Sequence, residues 1–76
     1  MEYLDFDLEP PHEHVALNQL LKLVGICDSG GAGKAIVAGG AVTVDGVPET
    51  RKTCKIRPGQ RVVVDEAIEI RVHAAG

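Results

Sequence analysis

The chain has 76 residues, 45% of them hydrophobic and 25% charged, with a formal net charge of -3. A chain of this length makes one small domain with a small core, and its apolar share excludes a disordered polar chain. Trp is absent, and Tyr3 and Phe6 are the only Tyr and Phe; the core must be aliphatic, and recognition of single strands by stacking bases on aromatic rings is disfavoured.

The predicted elements run as follows. "YLDFDLE" alternates, with Leu4, Phe6 and Leu8 on one side and Asp5, Asp7 and Glu9 on the other. That is the period of a half-buried strand, over about residues 2–9, and its acidic outer row discourages edge-to-edge pairing with another copy. Pro10-Pro11 ends it. Leu17, Leu20, Leu21 and Val24 then share one helical face, which predicts a first helix from about Val15 to Val24, stopped by Gly25. Ile26 and Cys27 read as buried linkers, and Asp28 or Ser29 as an N-cap. A short second helix is expected over about Gly30 to Ala38, with Ala32, Ala35 and Ile36 as its apolar face and Gly39-Gly40 as its stop. "AVTV" reads as a strand with Val42 and Val44 on one face. Asp45-Gly46 and Pro58-Gly59 are turn signals, and "QRVVVD" and "AIEIRV" are two more strands. The last residues, "HAAG", read as a frayed end. The order is about β-α-α-β-β-β: an α+β fold, two short helices packed on one side of a small, mostly antiparallel sheet.

Several chemistries find no support. No apolar run approaches the length of about 18 residues that crosses a membrane, and the acidic N-terminus has no signal-peptide pattern, so a cytoplasmic monomer is expected. Cys27 and Cys54 stand 27 positions apart, without the close pairing of zinc ligands. Reduced thiols and no metal are expected, the H-x-H of His12 and His14 being a weak signal by itself. "GGAGKA" lacks the hydroxyl and the first glycine of a phosphate loop, because Ala35 follows Lys34 and Asp28 fills the glycine position. The terminal Ala-Ala-Gly is not the Gly-Gly of a sulfur carrier. His73 reads as a surface residue. No triad or cysteine–histidine signature is present, so no catalytic residue, enzyme activity or cofactor is expected.

Charge is the informative property. Residues 1–14 carry five acids and no Lys or Arg, whereas residues 15–63 carry seven Lys or Arg against Asp28, Asp45 and Glu49. Four of the eight cations of the chain, Arg51, Lys52, Lys55 and Arg57, fall in the ten residues "TRKTCKIRPG", which contain no acid. Local asymmetry of this kind points to an anionic partner.

The order of signals matches a known pattern: a leucine-bearing helix ending in Gly (Leu17, Leu20, Leu21, Gly25), a short helix, then Gly40, Val42, Val44, Asp45 and Gly46, and later Gly59, Gln60 and Val62. Over about residues 14–65 the chain resembles the RNA-binding domain first named from ribosomal protein S-four, also called the αL motif. "VDGVPETRK" is similar to the version found in small stand-alone bacterial members, in which an N-terminal strand precedes the motif. The resemblance implies that residues 1–76 form a single RNA-binding domain of this kind. It also implies an RNA-facing surface with Ser29 and Lys34 on the helix-two side and Arg51, Lys52, Lys55 and Arg57 on the loop side. Many members carry Arg early in helix two, where this chain has Gly30-Gly31, so the electrostatic burden moves to residues 51–57. The expected partner is structured RNA of the ribosomal or transfer type, gripped by its shape and backbone, with Lys22 and Arg61 as flanking cations. Two rivals from other classes remain at this point. One is a protein-interaction module using the acidic strand or a face of helix one. The other is a DNA-binding helix-turn-helix, for which a glycine-rich helix two offers a major groove only Lys34.

Overall fold

The structure, a computed structural model, describes residues 1–75. Its elements are β1 (Glu2–Leu8), β2 (Val15–Ala16), α1 (Leu17–Leu23), α2 (Gly30–Ala38), β3 (Val42–Val44), β4 (Val47–Pro48), β5 (Lys55–Ile56), β6 (Arg61–Val64) and β7 (Ile68–Ala74). A five-stranded sheet has the order β1-β7-β6-β3-β4, and β2 pairs with β5 in a separate two-stranded ladder. The α+β class and the mostly antiparallel sheet agree with the sequence pattern. The three two-residue strands are additions that a periodicity argument cannot find, because two residues have no period.

One ladder is parallel. β1 runs alongside β7 from Glu2 opposite Ile68 to Leu8 opposite Ala74. This pairing joins the two ends of the chain and corrects the expectation of a frayed "HAAG". His73 and Ala74 lie in β7, and the Ala75 N–H donates to the Leu8 carbonyl at 3.0 Å. Gly76 lies outside the described residues. The ladder supplies the main-chain partners that small side chains alone do not suggest.

The alternation along the strands sorts core from surface. Leu4 and Phe6 are half-buried and Leu8 is buried, while Asp5 and Asp7 are exposed. Val42, Val44, Val62, Val64, Ile70 and Val72 line the inner sheet face and meet Leu17, Leu20 and Leu21 of α1, Val37 of α2 and Ile56 of β5 in one aliphatic cluster. Burying one such Leu side chain contributes about 1.5–3 kcal/mol.

The helices differ from the sequence reading at two places. α1 begins at Leu17, not Val15, because Val15 and Ala16 are extended and pair with Ile56 and Lys55. Ala16 has no side chain to cap the helix. Instead the Leu17 N–H donates to the Cys54 carbonyl at 2.9 Å and the Asn18 N–H to the Lys52 carbonyl at 3.1 Å. The basic segment therefore caps α1 with its backbone. In α2 the buried positions are Gly33 and Val37, with Ile36 half-buried, whereas Ala32 and Ala35 are exposed. The expected Ala32–Ala35–Ile36 face is corrected by packing distance: a Cβ on Gly33 would lie 2.5 Å from the Asn18 carbonyl oxygen. The contact stripe runs through a glycine, which carries no hydropathy signal.

Candidate functional site

The basic segment is held at both ends by turns that the sequence specifies. At its near end, Val44 faces Val47 across a two-residue turn in which Asp45 has φ 51 and Gly46 φ 82. This is the type I′ geometry favoured by Asp-Gly. At its far end, Pro58 and Gly59 (φ 92) form the turn closed by the Gln60 N–H on the Arg57 carbonyl at 3.2 Å. Pro followed by a positive-φ Gly fits a type II turn. Asp45 also ties the two ends together. Its carboxylate accepts from the Arg61 N–H at 3.0 Å and from Gln60 Nε2 at 3.3 Å, while Gln60 Oε1 accepts from the Arg57 N–H at 2.7 Å. A hydrogen-bond chain thus fixes the backbone at Arg57.

Between these turns the alternation is short but clear. Ile56 is buried in the core, Cys54 is half-buried against it, and Lys55 and Arg57 are exposed. Arg51, Thr53, Cys54, Lys55 and Arg57 line a concavity of about 450 Å³. Three of the six sequence-predicted residues meet there. Lys52 is exposed outside this lining, as are Ser29 and Lys34 of the helix-two side. Ser29 is the N-cap of α2, its Oγ accepting from the Ala32 N–H at 3.1 Å. The two sides are linked through Asn18. Its backbone N–H binds the Lys52 carbonyl, and its Nδ2 donates to the Gly30 carbonyl at 3.4 Å.

Ion pairing divides the cations. Arg51 Nε donates to Glu49 Oε2 at 3.0 Å and Nη2 to Oε1 at 2.9 Å, and the Arg51 backbone N–H also donates to Oε2 at 3.0 Å. The guanidinium and the backbone N–H of Arg51 hold the Glu49 carboxyl well down, at about 2 from its ordinary 4.5. Because the folded-state value is depressed, the pair's contribution to stability is fully present above about pH 4.5 and is lost as pH falls through about 2. Burial pushes the Cys54 thiol up, and Glu49 adds to that, so Cys54 is a neutral wall and not a thiolate. Among the described residues Lys34, Lys52, Lys55 and Arg57 make no ion pair.

The family model for the S4 domain matches residues 8–73. The chain belongs to the S4 domain family. A stretch of 51 residues is 55% identical to the Escherichia coli protein named "Putative RNA-binding protein YbcJ", covering 67% of this chain and 73% of that protein. The YbcJ of Shigella flexneri matches over the same length at the same identity. The solution structure of E. coli YbcJ, described as revealing an αL motif involved in RNA binding, superposes with a TM-score of 0.69 at 46% identity. That match covers 92% of this chain and 86% of the other. The S4 domain match takes in both helices and all six predicted residues, and it excludes nearly all of β1.

Sequence reasoning missed the acid beside the cluster. Glu49 stands one residue before "TRKTCKIRPG" and neutralises Arg51, a pairing that the "E-T-R" spacing could have signalled. It also missed Gln60 and Asp45 as supports of Arg57, and Asn18 as the link between the basic loop and α2. Those roles rest on backbone contacts, which composition does not report.

Proposed function

We propose that this S4 domain is a non-enzymatic RNA-binding protein that holds the backbone of a folded RNA, of the ribosomal or transfer type, against Lys55 and Arg57 of the cleft. Residues 1–76 act as one binding domain. The observation that carries this reading is the pair of exposed cations, Lys55 and Arg57, which line the cleft without a carboxylate partner among the described residues, in a chain of net charge -3. Lys52 beside the cleft and Lys34 on α2 extend the positive surface, and Ser29 and the start of α2 offer an anion the positive end of the helix. Arg51 has a more limited part, since Glu49 already occupies it. The name and description of YbcJ support the same reading.

A salt titration of binding to a folded RNA hairpin, an unstructured single strand and a DNA duplex tests it. With about four phosphates contacted, log K for the hairpin falls with log salt at a slope of about -3 to -4. Lys55→Ala with Arg57→Ala makes that slope shallower by about 2 while circular dichroism is unchanged, since both side chains point to solvent. Binding that ignores both salt and this double variant would sink the reading. Binding lost in the variant but equal for all three nucleic acids would reduce it to a non-specific polyanion surface.

A further inference from the structure

Glu49 is unusually well placed for a surface acid. Its backbone N–H is bonded to the Val42 carbonyl at 3.0 Å, which fixes it beside β3. Its side chain is 16% exposed, against 77% for Arg51. The carboxylate is therefore the fixed member of the pair and the guanidinium the one that reaches solvent at the cleft.

The guanidinium has five N–H groups. Nε and one N–H of Nη2, the side-on edge of the fork, are occupied by the two oxygens of Glu49. Nη2 also faces the Cys54 sulfur at 3.8 Å. The side-on edge is one with which Arg clamps a phosphate through two parallel hydrogen bonds, and carboxylate and phosphate compete for it by the same geometry. Among the described residues the two N–H groups of Nη1 have no partner, and the second N–H of Nη2 has only the Cys54 sulfur.

We propose that Glu49 is a specificity-determining residue of the cleft: an internal anion that occupies the phosphate-clamping edge of Arg51. This rests on the RNA reading given above. With Arg51 masked, a polyanion drifting past meets Lys55 and Arg57 but gains little from Arg51. An RNA backbone whose shape brings a phosphate to Nη1, or displaces Glu49, gains all three. Glu49 thus lowers affinity for nucleic acids in general and raises the contrast between a fitting RNA and others.

The test is Glu49→Gln, with Glu49→Ala as a second variant, each alone and with Arg51→Ala. Binding of the hairpin, the single strand and the duplex is measured against salt. Freeing one cation adds about one phosphate contact, so binding tightens roughly 3- to 10-fold near 0.1 M salt and the slope steepens by about one. The gain is larger for the single strand and the duplex than for the hairpin, and it vanishes in the Arg51→Ala background. Unchanged or weaker binding in both Glu49 variants overturns the proposal, as does an equal gain without Arg51. Two further measurements separate this from the RNA reading. In the RNA-free protein, NMR titration finds the Glu49 carboxyl near 2; titration in the ordinary carboxylate range overturns the proposal whatever RNA does. Pyrophosphate is the second probe. If the wild-type protein binds none of the nucleic acids, the RNA reading fails, and pyrophosphate still decides: tighter binding to Glu49→Gln supports the internal anion, and equal binding refutes it.

Discussion

The seam between α1 and α2 and the basic segment 49–60 solve opposite problems. At the seam two backbones approach so closely that Gly33 has no room for a side chain against the Asn18 carbonyl, and Leu17, Leu20 and Leu21 are fully buried on the same short helix. In the segment the charged side chains other than Glu49 face solvent while Ile56 anchors it in the core, and the backbone is held by two turns, by Asp45 and Gln60, and by the bonds from Leu17 and Asn18. The first region is specified by volume and the second by hydrogen bonds. They meet at Asn18, which is 3% exposed and touches both. The rigid seam positions the start of α2 and the polar segment on a common support, which leaves the side chains of Lys52, Lys55 and Arg57 free of structural duty. Damage to the seam should therefore cost stability, and damage to the cations should cost only binding.

The largest effect expected from that division is Leu20→Ala. Leu20 is fully buried in a core this small, and such a truncation costs about 2–5 kcal/mol, enough to unfold much of a marginal domain. A denaturant titration would show the midpoint fall with it. A loss below about 1 kcal/mol would mean that the seam is looser than its geometry says. Gly33→Ala comes next. The added Cβ meets a backbone oxygen at 2.5 Å, which cannot rotate away, so the helices must separate. Overpacking of this kind costs about 1–3 kcal/mol, against a helix-propensity gain of less than about 1 kcal/mol. Thermal unfolding that is unchanged or improved in Gly33→Ala would break the contrast between the two regions.

What the sequence displays and what it hides follows the same line. Strand alternation in "YLDFDLE", the leucine face of α1, the Ser29 cap and the Asp45-Gly46 turn were legible because each is local: neighbours a few positions apart state the period or the φ. The sheet partner of β1 was not legible, since β7 lies at the other end of the chain and no local pattern names it. The buried face of α2 was misread for a different reason. Hydropathy assigns contact to Ala and Ile, whereas the tightest contact here belongs to a residue with no side chain. In the basic segment, Cys54 and Ile56 turn inward and Lys55 and Arg57 outward, on the sides that strand alternation gives. The pairing of Glu49 with Arg51 was hidden because Glu49 stands just outside the acid-free run, and the bonds from Gln60 to Asp45 and from Asn18 to Gly30 and Lys52 are long-range.

The smallest effect expected is at Gly30. Gly30 and Gly33 both lie on α2 and both face α1, and both look alike in sequence. A Cβ on Gly30 would lie 2.8 Å from Gln19 Nε2 and 3.3 Å from Asn18 Nδ2. The nearer atom is the end of a long side chain whose residue is exposed, so it can turn aside at little cost. The Asn18 amide has less freedom, because it donates to the Gly30 carbonyl at 3.4 Å and is buried. Replacing Gly by Ala in a helix gains up to about 1 kcal/mol, and near the first turn less. The two contributions leave Gly30→Ala within about 0.5 kcal/mol of the wild type by denaturant titration, in contrast to the loss at Gly33. If Gly30→Ala were as damaging as Gly33→Ala, the seam would be rigid along its whole length, and Asn18 would be the reason: its amide would then be unable to move without releasing the start of α2.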